Sequence, residues 1–139
     1  KDPQLFIPNT YFKEFYSGIA TWRQNEIIGG GVDSFYYNCV KAINDCSSHP
    51  HNYYLEILSE IGIIGLLIFS LIFGKVIFDT FYLKYVKNIK FNNLIVPFMF
   101  LFLAEIFPIK TSGSFFTTGN ASFIFFVLGI TVALSRRPN

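Results

Sequence analysis

Charge is what this sequence has least of. Lys and Arg number 11 and Asp and Glu 9, or 14% of 139 residues, against about a quarter in an ordinary water-soluble domain. Apolar residues make up 52% and aromatics 19%, including 18 Phe, and the mean hydropathy is +0.43. That balance argues against a soluble domain, although a soluble helical bundle with a large core is the competing reading. A net charge of +2 with no basic stripe on one face excludes nucleic acid as a partner. The apolar runs lack the strict alternation of a membrane barrel wall, which excludes strands there. There is no leader with a basic start and a small-residue cleavage site. The sole methionine is Met99 and the chain starts at Lys1, so a piece of a longer membrane protein is expected.

Three apolar stretches are present: Ile61–Phe78, Leu94–Ile109 and Phe115–Leu134. A bilayer core needs about 20 helical residues, with a usable range of about 17–25. The first and third fit; the second is short unless Phe91–Asn93 and Lys110 extend it by snorkelling or local thinning. The expected fold is therefore all-α, a polytopic membrane fragment. Residues 1–60 form an outer region, and residues 61–139 form about three transmembrane helices. Lys75, Lys84, Lys87 and Lys90 gather around the first connection, and Arg136 and Arg137 follow the third stretch. The positive-inside rule puts those ends in the cytoplasm. The Lys110 connection and residues 1–60 then lie outside.

In the outer region, residues 9–24 show Phe12, Phe15, Tyr16, Ile19 and Trp22 at spacings of three and four. This is one apolar stripe of a helix, with Asn9 as its expected N-cap. Such a helix suits the headgroup level of a bilayer, or packing against other parts of a larger protein. Gly29, Gly30 and Gly31 then mark its end and a tight turn. A phosphate loop is a weak alternative, since no strand precedes it. Cys39 and Cys46 are the only cysteines, both on the outer side, where oxidation favours a disulfide. Free thiols and a metal site with His49 and His51 compete with that reading, but C-x6-C-x2-H-x-H matches no standard zinc spacing.

The run His49-Pro50-His51-Asn52 leads directly into the first apolar stretch. It places imidazoles, which exchange protons near neutral pH, at the mouth of a membrane helix. Pro50 disfavours helix at His49, and Asn52 is placed to cap the helix that begins beyond it. Gly62 and Gly65 would admit another helix at close range. Glu56 and Glu60 share one helix face, suited to orienting His51, to binding sugar hydroxyls or to lining the polar entry of the span. Glu105 lies within a stretch, where an ionisable group is costly; Lys110 is its candidate structural partner. Residues 112–122 are small, polar and outward-facing, and suit either sugar contacts or a plain turn.

The spacing His51, Asn52, nine residues, Gly62, two residues, Gly65 resembles the signature of the O-antigen ligase and O-antigen polymerase superfamily. His49-Pro50, and upstream Trp22, Gly29-x-Gly31 and Phe35, are similar to the same family. The resemblance covers about the first half of the chain; beyond it only the topology agrees. It implies a multi-spanning bacterial inner-membrane glycosyltransferase whose site faces the periplasm. The implied donor is a glycan on undecaprenyl diphosphate. The implied acceptor is a sugar hydroxyl on a second glycan (polymerase) or on lipid A-core (ligase), and some relatives modify protein. No metal, nucleotide or other cofactor is implied. Two positions depart from the family. No arginine stands a few residues before Trp22, and Glu26 replaces the proline usual ahead of the glycine turn.

Glycan transfer from a lipid diphosphate needs a proton removed from the attacking hydroxyl and the leaving diphosphate neutralised. His51 is the candidate catalytic residue, at the acceptor or at the leaving group. Arg23, Lys41 and Lys110 are candidate phosphate contacts, and Asn52 and Glu56 candidate substrate contacts. The fragment alone is expected to be inactive, since three spans cannot enclose a lipid-diphosphate cavity. A non-enzymatic membrane module, such as a transporter segment or partner-binding subunit, is the alternative from another class. It would tolerate loss of His51 better than changes at Glu105.

Overall fold

The computed structural model describes residues 10–43, 45–82, 86 and 93–135. Its elements are α1 (Thr10–Trp22), α2 (Phe35–Ala42), α3 (Tyr53–Phe81), α4 (Ile95–Glu105) and α5 (Thr118–Ser135). No strand occurs among the described residues. Two helices, α3 with 29 residues and α5 with 18, are long and apolar enough to cross a membrane, and α4 is a shorter apolar helix. The all-helical build with these apolar helices is consistent with a helical membrane fragment. The expected second span is thus curtailed: α4 has 11 residues and stops at Glu105, before Pro108, which cannot continue a hydrogen-bonded turn. Lys75 sits inside α3, paired with Asp79 one turn on. Asn9, Lys84, Lys87, Lys90, Phe91, Asn92, Arg136 and Arg137 lie outside the described residues, and with them the expected N-cap and most of the charge pattern that sets orientation.

The chain divides into two compact units, Lys1–Leu66 with Thr111–Phe115, and Leu67–Lys110 with Phe116–Asn139. In the second, α4 and α5 pack on each other. Phe73 lies edge-on to Phe102, with ring centroids 5.4 Å apart, and Met99, Ile124 and Val127 are buried beside them in the core. Thr131, also buried, returns its hydroxyl to the Val127 carbonyl at 2.8 Å, which removes an unsatisfied donor from an apolar setting.

The first unit holds α1, α2, the start of α3 and the 111–115 strap. Helix α1 is amphipathic in the inverted sense. Phe12, Phe15 and Tyr16 are 61%, 50% and 43% exposed, whereas Glu14, Ser17 and Thr21 are buried. The two buried hydroxyls are satisfied within the helix, Ser17 Oγ on the Glu14 carbonyl at 2.7 Å and Thr21 Oγ1 on the Ser17 carbonyl at 2.8 Å. Gly18 lies on the same inward side, and a Cβ there would stand 2.9 Å from the Leu55 side chain. The absence of a side chain lets α1 approach the first turn of α3.

Candidate functional site

The site is built on a break in α3. Gly62 has φ 68° and ψ −169°, a region open almost only to glycine. In an unbroken helix the amides of Ile63 and Ile64 would reach the carbonyls of Ser59 and Glu60. Instead Ile63 N–H donates to the Glu26 carbonyl at 3.0 Å and Ile64 N–H to the Ile27 carbonyl at 3.3 Å. The vacated carbonyls of Ser59 and Glu60 accept from Gly30 N–H at 2.9 Å and Gly31 N–H at 2.8 Å. The loop before α2 thus exchanges with the helix the hydrogen bonds the kink removes, and the displaced groups are paired as buried backbone requires. Such closeness admits no Cβ: at Gly29 it would lie 2.3 Å from the Glu60 backbone, and at Gly62 2.2 Å from the Ile27 carbonyl oxygen.

One sequence expectation changes here, and one weak alternative falls away. The neighbour that needs Gly62 is this loop and not another helix. The amides of Gly29, Gly30 and Gly31 all donate to backbone carbonyls, so the glycine turn has none left over to cradle a phosphate.

Glu60 continues the lock. It is buried, and its carboxylate accepts from Asp33 N–H at 2.9 Å and Phe35 N–H at 3.3 Å. A side chain of α3 therefore holds the entry to α2, where Asp33 has φ 63°. At the other end of α2, Cys39 and Cys46 form a disulfide, so neither is available as a metal ligand.

The disulfide closes the segment that delivers the histidines. Pro50 is buried between them. The rings of His49 and His51 lie 4.2 Å apart at an interplanar angle of 55°. His51 is exposed, with φ 50° in the left-handed region, uncommon for a non-glycine residue. That conformation is held from both sides. The His51 carbonyl accepts from Ser112 N–H at 2.9 Å. The next residue, Asn52, caps α3 with Oδ1, accepting from Tyr54 N–H at 3.1 Å and Leu55 N–H at 3.2 Å. One turn on, the Glu56 carboxylate accepts from Ser114 Oγ and Phe115 N–H. Phe115 is buried edge-on to Tyr53 with centroids 5.4 Å apart. Residues 111–115 are thereby strapped beside His51.

Glu14 of α1 is tied to the segment just before the histidines. Its Oε1 accepts from Ser47 Oγ at 2.6 Å, while Oε2 is buried with no hydrogen-bond partner. Ser48 Oγ lies 3.0 Å from His49 Nδ1, and His49 Nε2 is likewise buried without a partner, as is Ser112 Oγ. Burial, and then the neighbouring His51, hold the His49 imidazole below its ordinary range, with Glu14 opposing them.

Of the residues singled out in the sequence, His51, Asn52 and Glu56 are brought together with the 111–115 strap. Asn52 Oδ1 and the Glu56 carboxylate are engaged by protein groups as described. Arg23 and Lys41 belong to the same unit; both are exposed, and neither has an ion-pair partner among the described residues. Lys110 belongs to the other unit and pairs with Glu105 at 2.6 Å. Glu14 was missed by sequence reasoning that followed the aromatic stripe of α1. The signal was on the opposite face, where Glu14, Ser17 and Thr21 recur at helical spacing.

The sequence model of the O-antigen ligase family matches residues 9–70, the segment that holds α1, the glycine loop, the histidines and the kink. The resemblance drawn from the signature holds over that stretch. No curated protein and no solved structure matches the chain.

Proposed function

We propose that His51 is the general base of a glycan transfer, a reading supported by the match of residues 9–70 to the O-antigen ligase family, which ties that stretch to surface-polysaccharide synthesis by membrane glycosyltransferase-like proteins. The donor in this reading is a glycan on undecaprenyl diphosphate, and the acceptor is a sugar hydroxyl. One observation carries it: an exposed imidazole held on a left-handed backbone by a cap on one side and a strap on the other. Such conformations persist where the surroundings enforce them, and they gather at functional sites.

His51 takes the proton from the acceptor hydroxyl as that oxygen attacks the anomeric carbon. The bond from that carbon to the diphosphate oxygen breaks, and its electron pair leaves with the diphosphate. Cations must meet that charge. Arg23 and Lys41 fill the role better than Lys110, which Glu105 already neutralises. The site faces the periplasm of a bacterial inner membrane in this reading, where lipid-linked glycans are transferred.

The test uses the full-length parent gene in hosts lacking a polymerase or a ligase, with wild type beside His51→Ala. Surface glycan is resolved on a gel. A ladder restored in the polymerase-deficient host, or glycan returned to lipid A-core in the ligase-deficient host, supports transfer and names its acceptor. In either host the activity should vanish with His51→Ala while the protein still inserts. Transfer retained by that variant overturns the assignment.

A further inference from the structure

Two carboxylates bond the segments that flank the histidine pair, Glu14 at Ser47 and Glu56 at residues 114–115. Glu56 of α3 follows the Asn52 cap by one turn, but its oxygens are filled by Ser114 and Phe115. Glu14 of α1 is more than nine-tenths buried and only half satisfied, by Ser47 two residues before His49. Its Oε2 and His49 Nε2 are both buried and unpaired, and native proteins leave few such atoms. Lys13, next to Glu14, is paired with Asp45, so its charge is already met. Glu14 thus sits on the polar inner side of a helix whose other side is aromatic, where a charge is retained only against a cost.

We infer that Glu14 is a positioning residue for the transfer: its buried carboxylate, fixed by Ser47 and left with one free oxygen, is the counter-charge for the His49–His51 ring pair when that pair takes up the acceptor's proton. The inference rests on His51 acting as the base. When the acceptor O–H bond breaks, the proton goes to an imidazole of the pair and the pair gains one positive charge. That charge persists until the proton leaves to solvent. With the rings 4.2 Å apart, His49 shares the field of the new charge. Ser48 at Nδ1 and Pro50, buried next to it, keep the His49 ring in place. Glu14 never touches the substrate; it acts through His49.

The experiment measures transfer against pH for the full-length parent in membranes, with a lipid-diphosphate glycan as donor. Wild type, Glu14→Gln, Glu14→Asp and His51→Ala are compared at equal membrane content. Gln retains the acceptor for Ser47 and removes only the charge. The plateau rate of Glu14→Gln should fall by about tenfold or more. Its acid limb should move to lower pH, because the anion that favoured a protonated pair is gone. Glu14→Asp should keep the limb near the wild-type position. A uniform loss with an unmoved limb marks Glu14 as merely structural and overturns the inference, as does a limb displaced to higher pH. If Glu14→Gln fails to accumulate, Glu14→Ser carries the test: it removes the same charge, so the limb should again move to lower pH, and an unmoved limb overturns the inference. Transfer by His51→Ala sinks the base itself, an outcome separate from any result at Glu14.

Discussion

Gly62→Ala probes the backbone exchange most directly. With φ 68° and ψ −169°, an alanine there meets a conformational cost of about 1–3 kcal/mol. Its Cβ would stand 2.2 Å from the Ile27 carbonyl oxygen and 2.6 Å from Gly29 N, both backbone atoms that cannot rotate away. The loop must withdraw, and the amides of Ile63 and Ile64 and the carbonyls of Ser59 and Glu60 lose partners. At about 1 kcal/mol for each lost bond, losing two of them brings the total to about 3–5 kcal/mol. That is a large share of the ~5–15 kcal/mol that holds a typical domain folded. The control is Gly74→Ala in the same helix, where a Cβ meets nothing within 4 Å; there the change should be under about 1 kcal/mol and stabilising. The assay is folded protein remaining after heating in detergent, with amide exchange followed at residues 26–31 and 59–64. A Gly62→Ala protein that melts with wild type and keeps its amide protection refutes the reasoning.

Cys39→Ser should destabilise the first unit by about 2–3 kcal/mol, because it opens a short closed loop in the unfolded chain. Without reductant, wild type should resist thiol labelling; full labelling removes the disulfide. Asn52→Ala removes the cap on α3 and should cost about 1 kcal/mol, read as a lower midpoint in the same heating assay. The His49 imidazole is held below its ordinary value of 6.5, so the unfolded chain binds its proton first as pH falls. Stability from this group is therefore present above about pH 6.5 and is lost as pH falls through the lower folded value. His49→Gln should flatten that part of the stability curve, and an unchanged slope refutes the assignment.

Much of the architecture is legible in the sequence because it depends on side-chain patterns. The apolar runs lead to α3 and α5, Asn52 caps the helix it precedes, and Glu105 finds Lys110 five residues on. What is hidden depends on backbone. Nothing about Glu26, Ile27, Ser59 or Glu60 as residue types says that their carbonyls accept amides from distant residues. The glycines read as a turn and a helix contact, whereas the structure needs them to let two stretches of main chain touch. Glu14 was obscured for another reason: in α1 the aromatic side is exposed and the polar side buried, the reverse of what an apolar stripe suggests in water. Helix α4 ends before its apolar stretch does, since the hydropathy continues past Glu105, where the helix does not.

The exchange between residues 26–31 and 59–64 also carries a consequence for assembly. Left alone, α3 gains nothing by bending at Gly62, since opening its ladder strands two amides and two carbonyls in surroundings with few substitutes. The partner that takes them lies earlier in the chain, and a growing polypeptide releases it first. The loop is therefore already waiting when α3 emerges, and the bend is a docking event between an early segment and a late one. Stitched in this way, the two segments separate only together, so a fault in either is transmitted to the base of the helix that presents His51.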